Sequence, residues 1–246
     1  MGEHHLGDTM SIEAVIFDLY GTLIDIWTDE TDLSLYHTMC RFFTYYDIFF
    51  EPEELAARYQ EYAAAQLLKR PGPYGDIDVF DVFQEILAEG LKKTPERALV
   101  IWTARLFRSL SRRHFALFPD ALPALEALQP HYRLGLVTDA QWVFSEPEMR
   151  ILGLNRFFET VVLSSRHYVR KPAPQIYTHA LKAMWLPPEK ALYVGNDPRE
   201  DVPGPQAIHM PVVLIDREGH HPGFPGWVIR DLRELPAFLE THFPES

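Results

Sequence analysis

A single cysteine, Cys40, leaves the chain without an intramolecular disulfide framework and fits a reducing compartment. Long apolar runs are also missing. None reaches the roughly 18–20 residues that a membrane span needs, and residues 1–10 lack the apolar stretch of a secretion signal, so a cytoplasmic location without membrane attachment is expected. Positive charge is scarce: 23 Lys and Arg against 35 Asp and Glu leave a formal charge of -12. That balance argues against a general nucleic-acid binder, whose affinity for phosphate backbones comes from clustered Lys and Arg. No low-complexity tract or repeat period is present. The histidines supply no metal motif: His4-His5 fall in a terminus expected to fray, and His167, His179, His209 and His220-His221 show no ligand spacing.

What the chain does have is apolar content, 47% of 246 residues, enough to bury a full core. Ala14-Val15-Ile16-Phe17 reads as a buried strand delivering Asp18 to a loop that turns at Gly21-Thr22. Similar runs follow at residues 133–137, 160–163, 191–194 and 211–215, with helical segments expected at 119–128, 146–152, 174–185 and 199–208. Strand and helix thus alternate as a parallel α/β sheet with helices on both faces requires. Ligands of such sheets sit beyond the carboxyl ends of the strands, where Asp18, Thr138-Asp139 and Asn196-Asp197 would converge.

The stretch from about Asp29 to Arg113 breaks the alternation. Helical periodicity appears instead at 33–46, 52–68, 79–91 and 95–110, punctuated by Pro71-Gly72-Pro73-Tyr74-Gly75, with Thr94 read as an N-cap before Pro95. An inserted all-helical domain is expected, its aromatics at Phe42, Phe43, Tyr45, Tyr46, Phe49 and Phe50 mostly packing helix on helix. The expected division is a flexible start at 1–13, a core of 14–27 and 114–246, and an insert of 28–113.

A strand-end carboxylate such as Asp18 can attack a substrate and form a covalent ester, dividing hydrolysis into two easier steps. With Asp197 and Asp201 brought to the same edge, Lys171 alone cannot neutralise the cluster, and an approaching phosphate dianion would be repelled. A divalent cation resolves this. Magnesium takes oxygen ligands and shares its coordination with phosphate, which suits carboxylates and an amide without clustered Cys or His.

Four pieces in this order, Asp18-Leu19-Tyr20-Gly21-Thr22, Thr138, Lys171-Pro172 and Gly195-Asn196-Asp197-Pro198-Arg199-Glu200-Asp201, resemble the haloacid dehalogenase superfamily over nearly all of residues 14–217. The resemblance implies a Rossmann-like core with an inserted helical cap that closes over the site and chooses the substrate. It also implies a Mg2+-dependent hydrolase with Asp18 as nucleophile. Asp18, the Tyr20 carbonyl and the acids of the fourth motif would coordinate the metal, with Asn196 and Asp197 both open as ligands beside Asp201. Thr22, Thr138 and Asp139 would bind substrate, and Lys171 would offset transition-state charge.

Two positions depart from the family pattern. Tyr20 stands where family phosphatases usually carry the aspartate that protonates the leaving alcohol, and Asn196 stands where an aspartate is commoner. A phenol with an ordinary pKa of about 10 is poorly matched to both halves of an acid/base cycle near neutrality. On this reading aryl and acyl phosphates are better substrates than sugar phosphates. The same Asp-x-Tyr-Gly-Thr pattern occurs in 2-haloacid dehalogenases, whose halide leaves without a proton. Those enzymes bring an arginine about 30 residues after the nucleophile, but no Arg lies between Arg41 and Arg58. A phosphatase acting on a small phosphorylated metabolite is the favoured expectation. A dehalogenase, or a nearly inactive protein binding a phosphometabolite or partner, is the alternative. Oligomeric state is left open.

Overall fold

A computed structural model describes residues 11–70 and 72–244. His4-His5 and most of the expected flexible start lie outside the described residues. Within residues 11–13, Ile12 is buried, and Glu13 exchanges backbone hydrogen bonds with Lys190 and Arg133.

The core is one six-stranded sheet built from β1 (Ala14–Phe17), β4 (Arg133–Thr138), β5 (Thr160–Leu163), β6 (Ala191–Gly195), β7 (Val212–Ile215) and β8 (Trp227–Ile229). The spatial order is β5-β4-β1-β6-β7-β8, and every pairing is parallel. Side chains on a strand alternate between faces, and the central strand divides accordingly. Val15 and Phe17 enter one apolar core with α5 (Ala121–Leu128) and α10 (Leu235–His242). Ala14 and Ile16 enter the other with α8 (Pro174–Ala183). Burial on both faces is why β1 reads as an unbroken apolar run rather than an alternating one.

Four helices form a second layer: α1 (Leu33–Phe43), α2 (Pro52–Leu68), α3 (Val79–Leu91) and α4 (Arg97–Ser111). Asp32 and Asp78 start α1 and α3 by accepting the Ser34 and Phe80 amides at 2.9 Å each. Successive helices pack on one another and α4 closes back on α1. At the centre, Phe107 meets Tyr59 at 4.7 Å and Phe83 at 5.2 Å between ring centroids. The aromatic run of residues 42–50 contributes less than expected: Phe43 is fully buried, but Tyr45 and Phe49 are exposed. The chain enters and leaves this bundle on a two-stranded antiparallel ribbon of β2 (Ile24–Thr28) and β3 (Arg112–Leu117), which sequence patterning did not reveal.

Three helices depart from expectation. Glu96, not Thr94, caps α4 and is extended at φ -66°, ψ 137°, so the helix starts at Arg97. Ahead of the expected start at 146, α6 (Trp142–Ile151) opens where the Trp142 amide reaches Ser165 Oγ at 3.0 Å. In place of a helix over 199–208, Asp197 Oδ1 accepts the Arg199 and Glu200 amides and closes a turn, leaving only a short α9 (Pro203–Ala207). A one-turn α7 (Ser164–His167) completes the set. Among the described residues no helix is long and apolar enough to cross a membrane.

Candidate active site

The carboxyl ends of β1, β4 and β6 meet as the alternation requires. Asp18 follows β1, Thr138 ends β4, and the Asn196–Asp201 turn follows β6, while Lys171 comes from the loop before α8. Lys171 Nζ lies 2.8 Å from Asp18 Oδ1 and 2.6 Å from Asp201 Oδ1, with all three side chains buried. Its backbone N–H donates to Asp139 Oδ1 at 3.0 Å. One lysine residue therefore ties together three of the expected carboxylates.

Two glycines make this packing possible. Gly21 has φ +84°, and a Cβ there would stand 2.6 Å from the Asn196 amide nitrogen. A Cβ on Gly195 would stand 2.3 Å from Asp201 Cγ. Larger residues at either position would push apart the loops that carry the chemistry. Arg217, directly after β7 and Asp216, fastens the nucleophile's loop by donating to the carbonyls of Gly21 at 3.1 Å and Thr22 at 2.8 Å. Asp120 holds that guanidinium at 2.9 Å.

The electrostatics follow from burial. Removal from water raises the Asp18 carboxyl above its ordinary value, and the Lys171 ammonium opposes the shift. For Lys171, burial acts to lower the pKa, but Asp18, Asp201 and Asp139 together outweigh it and hold the ammonium well above its usual range. Burial likewise raises Asp139, to about 7, against the pull of Lys171 and with help from Asp76 and Glu200.

The expected metal ligands separate into two kinds. The Thr22 hydroxyl lies 3.2 Å from Asp18 Oδ2 and 3.1 Å from Asn196 Oδ1, so both oxygens lie within reach of one hydroxyl. Asp201 is committed elsewhere: Oδ1 accepts from Lys171 and Tyr193, and Oδ2 from the Asp197 amide at 2.8 Å. Asp197 spends Oδ1 on its own turn. Among the described residues no group of three His, Cys, Asp or Glu side chains forms a metal cage. A carboxylate, an amide oxygen and a neighbouring backbone carbonyl are nevertheless an all-oxygen donor set, which fits a magnesium ion that keeps most of its waters.

Tyr20 does not point a free hydroxyl at the site. It donates to Glu148 Oε2 at 2.5 Å, and burial followed by the Glu148 charge pushes the phenol well above its usual range. Arg108 of α4 grips the same carboxylate through Nε at 2.8 Å and Nη2 at 3.2 Å, with Arg112 Nη1 at 3.6 Å. Motif reading missed Glu148 and Arg108, since each lies inside a helix with no spacing cue; Arg217, at a strand end, was within its reach. Glu148→Ala is expected to cost about 2–4 kcal/mol, because it strands the largely covered Arg108 guanidinium without its partner. Urea denaturation measures this, and a loss under about 1 kcal/mol would show that the guanidinium is satisfied without the carboxylate.

Two cavities flank the motif loops. One, of about 390 Å³, lies between bundle and core, with Tyr20, Arg108, Asp139 and Arg170 in its wall. The other, of about 500 Å³, opens beyond Gly21 and Asn196 towards Arg199 and His220. Three further basic side chains have structural partners: Arg166 pairs with Glu146, Lys69 with Glu85, and Arg70 stacks on Tyr168 at 3.6 Å.

Known proteins resemble this chain in sequence and in fold. The family model described as haloacid dehalogenase-like hydrolase matches residues 12–209. A phosphoserine phosphatase from Thermus thermophilus is 32% identical over 188 residues, covering 74% of this chain and 72% of its own. A glyceraldehyde 3-phosphate phosphatase from Methanopyrus kandleri is 30% identical over 134 residues, and the match spans 54% of this chain and 58% of that one. Among solved structures, a 2-haloacid dehalogenase from Pseudomonas syringae superposes with a TM-score of 0.62 at 21% identity, over 94% of this chain and 99% of that one.

Proposed function

Since the chain belongs to the haloacid dehalogenase-like hydrolase family, we propose that this hydrolase is a Mg2+-dependent phosphatase of small phosphate monoesters, working through an aspartyl-phosphate on Asp18. The observation that carries the reading is the buried Lys171 ammonium between Asp18 Oδ1 and Asp201 Oδ1. It leaves Asp18 Oδ2 as the attacking oxygen and places a fixed cation where charge grows as phosphorus is attacked. Thr138, at the end of β4, would hold phosphoryl oxygens, and Thr22 would orient Asp18 Oδ2. Asp201, fixed by Tyr193 and the Asp197 amide, keeps Lys171 in place.

Asp18, Asn196 and the Tyr20 carbonyl would hold the magnesium ion, with Asp197 reaching it from the adjoining turn. When bound, the ion supplies neutralising charge for a phosphate dianion. The helical bundle of residues 28–113 acts as the cap, contributing Arg108 to the wall of the cavity where the leaving group sits.

Arg108 also gives the dehalogenase reading the guanidinium that the 41–58 stretch lacks. Both nitrogens that it directs at Glu148 are engaged, however, which leaves it poorly placed to clamp a substrate carboxylate. The Thermus thermophilus and Methanopyrus kandleri relatives are phosphatases, which favours phosphate chemistry. Parallel assays of p-nitrophenyl phosphate and 2-chloropropionate, each with magnesium and with chelator, decide the matter. Metal-dependent phosphate release is the expected result, and chelator-insensitive halide release would reverse the assignment. Calorimetric binding of orthophosphate and magnesium without turnover would indicate a binding protein.

A further inference from the structure

The hydroxyl that replaces the family's usual acid is already spent, because the Tyr20 O–H donates its hydrogen bond to Glu148. A phosphatase of alkyl esters still needs a group that protonates the departing oxygen and then draws a proton from water. Four carboxyl groups line the cavity on the Tyr20 side: Glu30, Asp76, Asp139 and Glu200. Glu30 accepts the Tyr59 hydroxyl at 3.3 Å, Asp76 caps the Ile77 amide at 2.8 Å, and Glu200 faces Arg170 at 4.0 Å. Each of these three comes from a loop away from the β1–β4 pair. Asp139 differs in its placement. The β1–β4 register ends at the Phe17–Leu136 pair; beyond the two strand ends the chain reaches Tyr20 on one side and Asp139 on the other, both in the cavity wall. Asp139 thus shares a cavity wall with the position where the acid is missing, on the loop that follows the strand beside β1. The Lys171 amide fixes its Oδ1 at 3.0 Å, and no described residue bonds its Oδ2.

Resting on the phosphatase reading, we propose that Asp139 is the acid/base of this enzyme, replacing the function lost at Tyr20. In the first step Asp18 Oδ2 forms a bond to phosphorus, the bond from phosphorus to the leaving oxygen breaks, and that oxygen takes the Asp139 proton to depart as an alcohol. In the second, water attacks the phosphorus of the aspartyl ester and yields a proton to the Asp139 carboxylate. The bond from phosphorus to Asp18 then breaks, releasing orthophosphate and restoring both side chains. Burial raises the Asp139 carboxyl to about 7, against Lys171 and with Asp76 and Glu200, so both protonation states are available near neutrality. Arg108 and Arg170 are the other charged groups in the same wall. Alkyl phosphates then become substrates beside aryl ones.

The test compares wild type with Asp139→Asn, which keeps an oxygen for the Lys171 amide, in steady-state and stopped-flow turnover of glycerol phosphate and p-nitrophenyl phosphate with magnesium. In the variant, glycerol phosphate turnover should fall about 10²–10⁴-fold. With p-nitrophenyl phosphate it should give a burst approaching one nitrophenolate per site and then a slow rate, since a phenolate departs unprotonated while the aspartyl ester waits for a base. Asp139→Glu should recover part of the alkyl activity. Equal losses on both esters without a burst, or undiminished glycerol phosphate turnover, would overturn the proposal. A wild-type protein that releases phosphate from neither ester would fail earlier and take the phosphatase reading with it.

Discussion

Asp18→Asn should remove essentially all turnover, by roughly 10⁴-fold or more, as loss of a covalent nucleophile does in other hydrolases. The amide matches the carboxylate in shape and can still accept from Lys171, so the pocket survives while the attacking oxygen loses its charge. The fold should not suffer. Burial makes the Asp18 charge costly, and in the variant Lys171 keeps Asp201 at 2.6 Å as its partner. The melting temperature is therefore expected to be unchanged or a few degrees higher. Phosphate release and a thermal melt on the same sample read both effects. Wild-type activity in this variant would defeat the nucleophile assignment.

Lys171→Met has the opposite profile, losing activity and stability together. It leaves two buried carboxylates facing each other without a cation, while the backbone bond to Asp139 persists. Breaking a buried pair from one side costs about 3–5 kcal/mol, a large share of a typical 5–15 kcal/mol total. The pH dependence has a definite sign. The Asp18 carboxyl already sits above its reference value of 3.8 through burial, and loss of Lys171 removes the main opposing influence. The folded variant then holds a proton that the unfolded chain has released, so its stability falls as pH rises above about 4. Urea midpoints at pH 5 and pH 8 should show the deficit larger at pH 8. Equal deficits at both would mean that the carboxylates are not buried as described.

The parallel sheet was legible because its strands are buried on both faces, so Ala14–Phe17 and Ala191–Val194 announce themselves as apolar runs followed by polar turns. The four bundle helices were legible from periodicity, although their caps at Asp32 and Asp78 were not read from sequence. The β2–β3 ribbon was not, because its residues are mostly half-exposed and carry Asp25, Arg112 and Arg113 among the apolar ones. Nor was the fate of residues 197–201, where side-chain-to-backbone bonds from Asp197 compete with helix formation. In the site, residues at strand ends could be placed from sequence alone. Glu148 and Arg108 could not, since a salt bridge between helices separated by 40 positions leaves no local trace.

The grip of Arg217 on the Gly21 and Thr22 carbonyls reaches across the boundary of the family match, which ends at residue 209. The matched segment is consequently not self-sufficient at its reactive end. Transplanting it without the following strand would leave two peptide oxygens of the nucleophile's turn seeking water, and the aspartate that depends on that turn for its aim would wander. In this chain the terminal segment acts as the vice in which the working part is clamped.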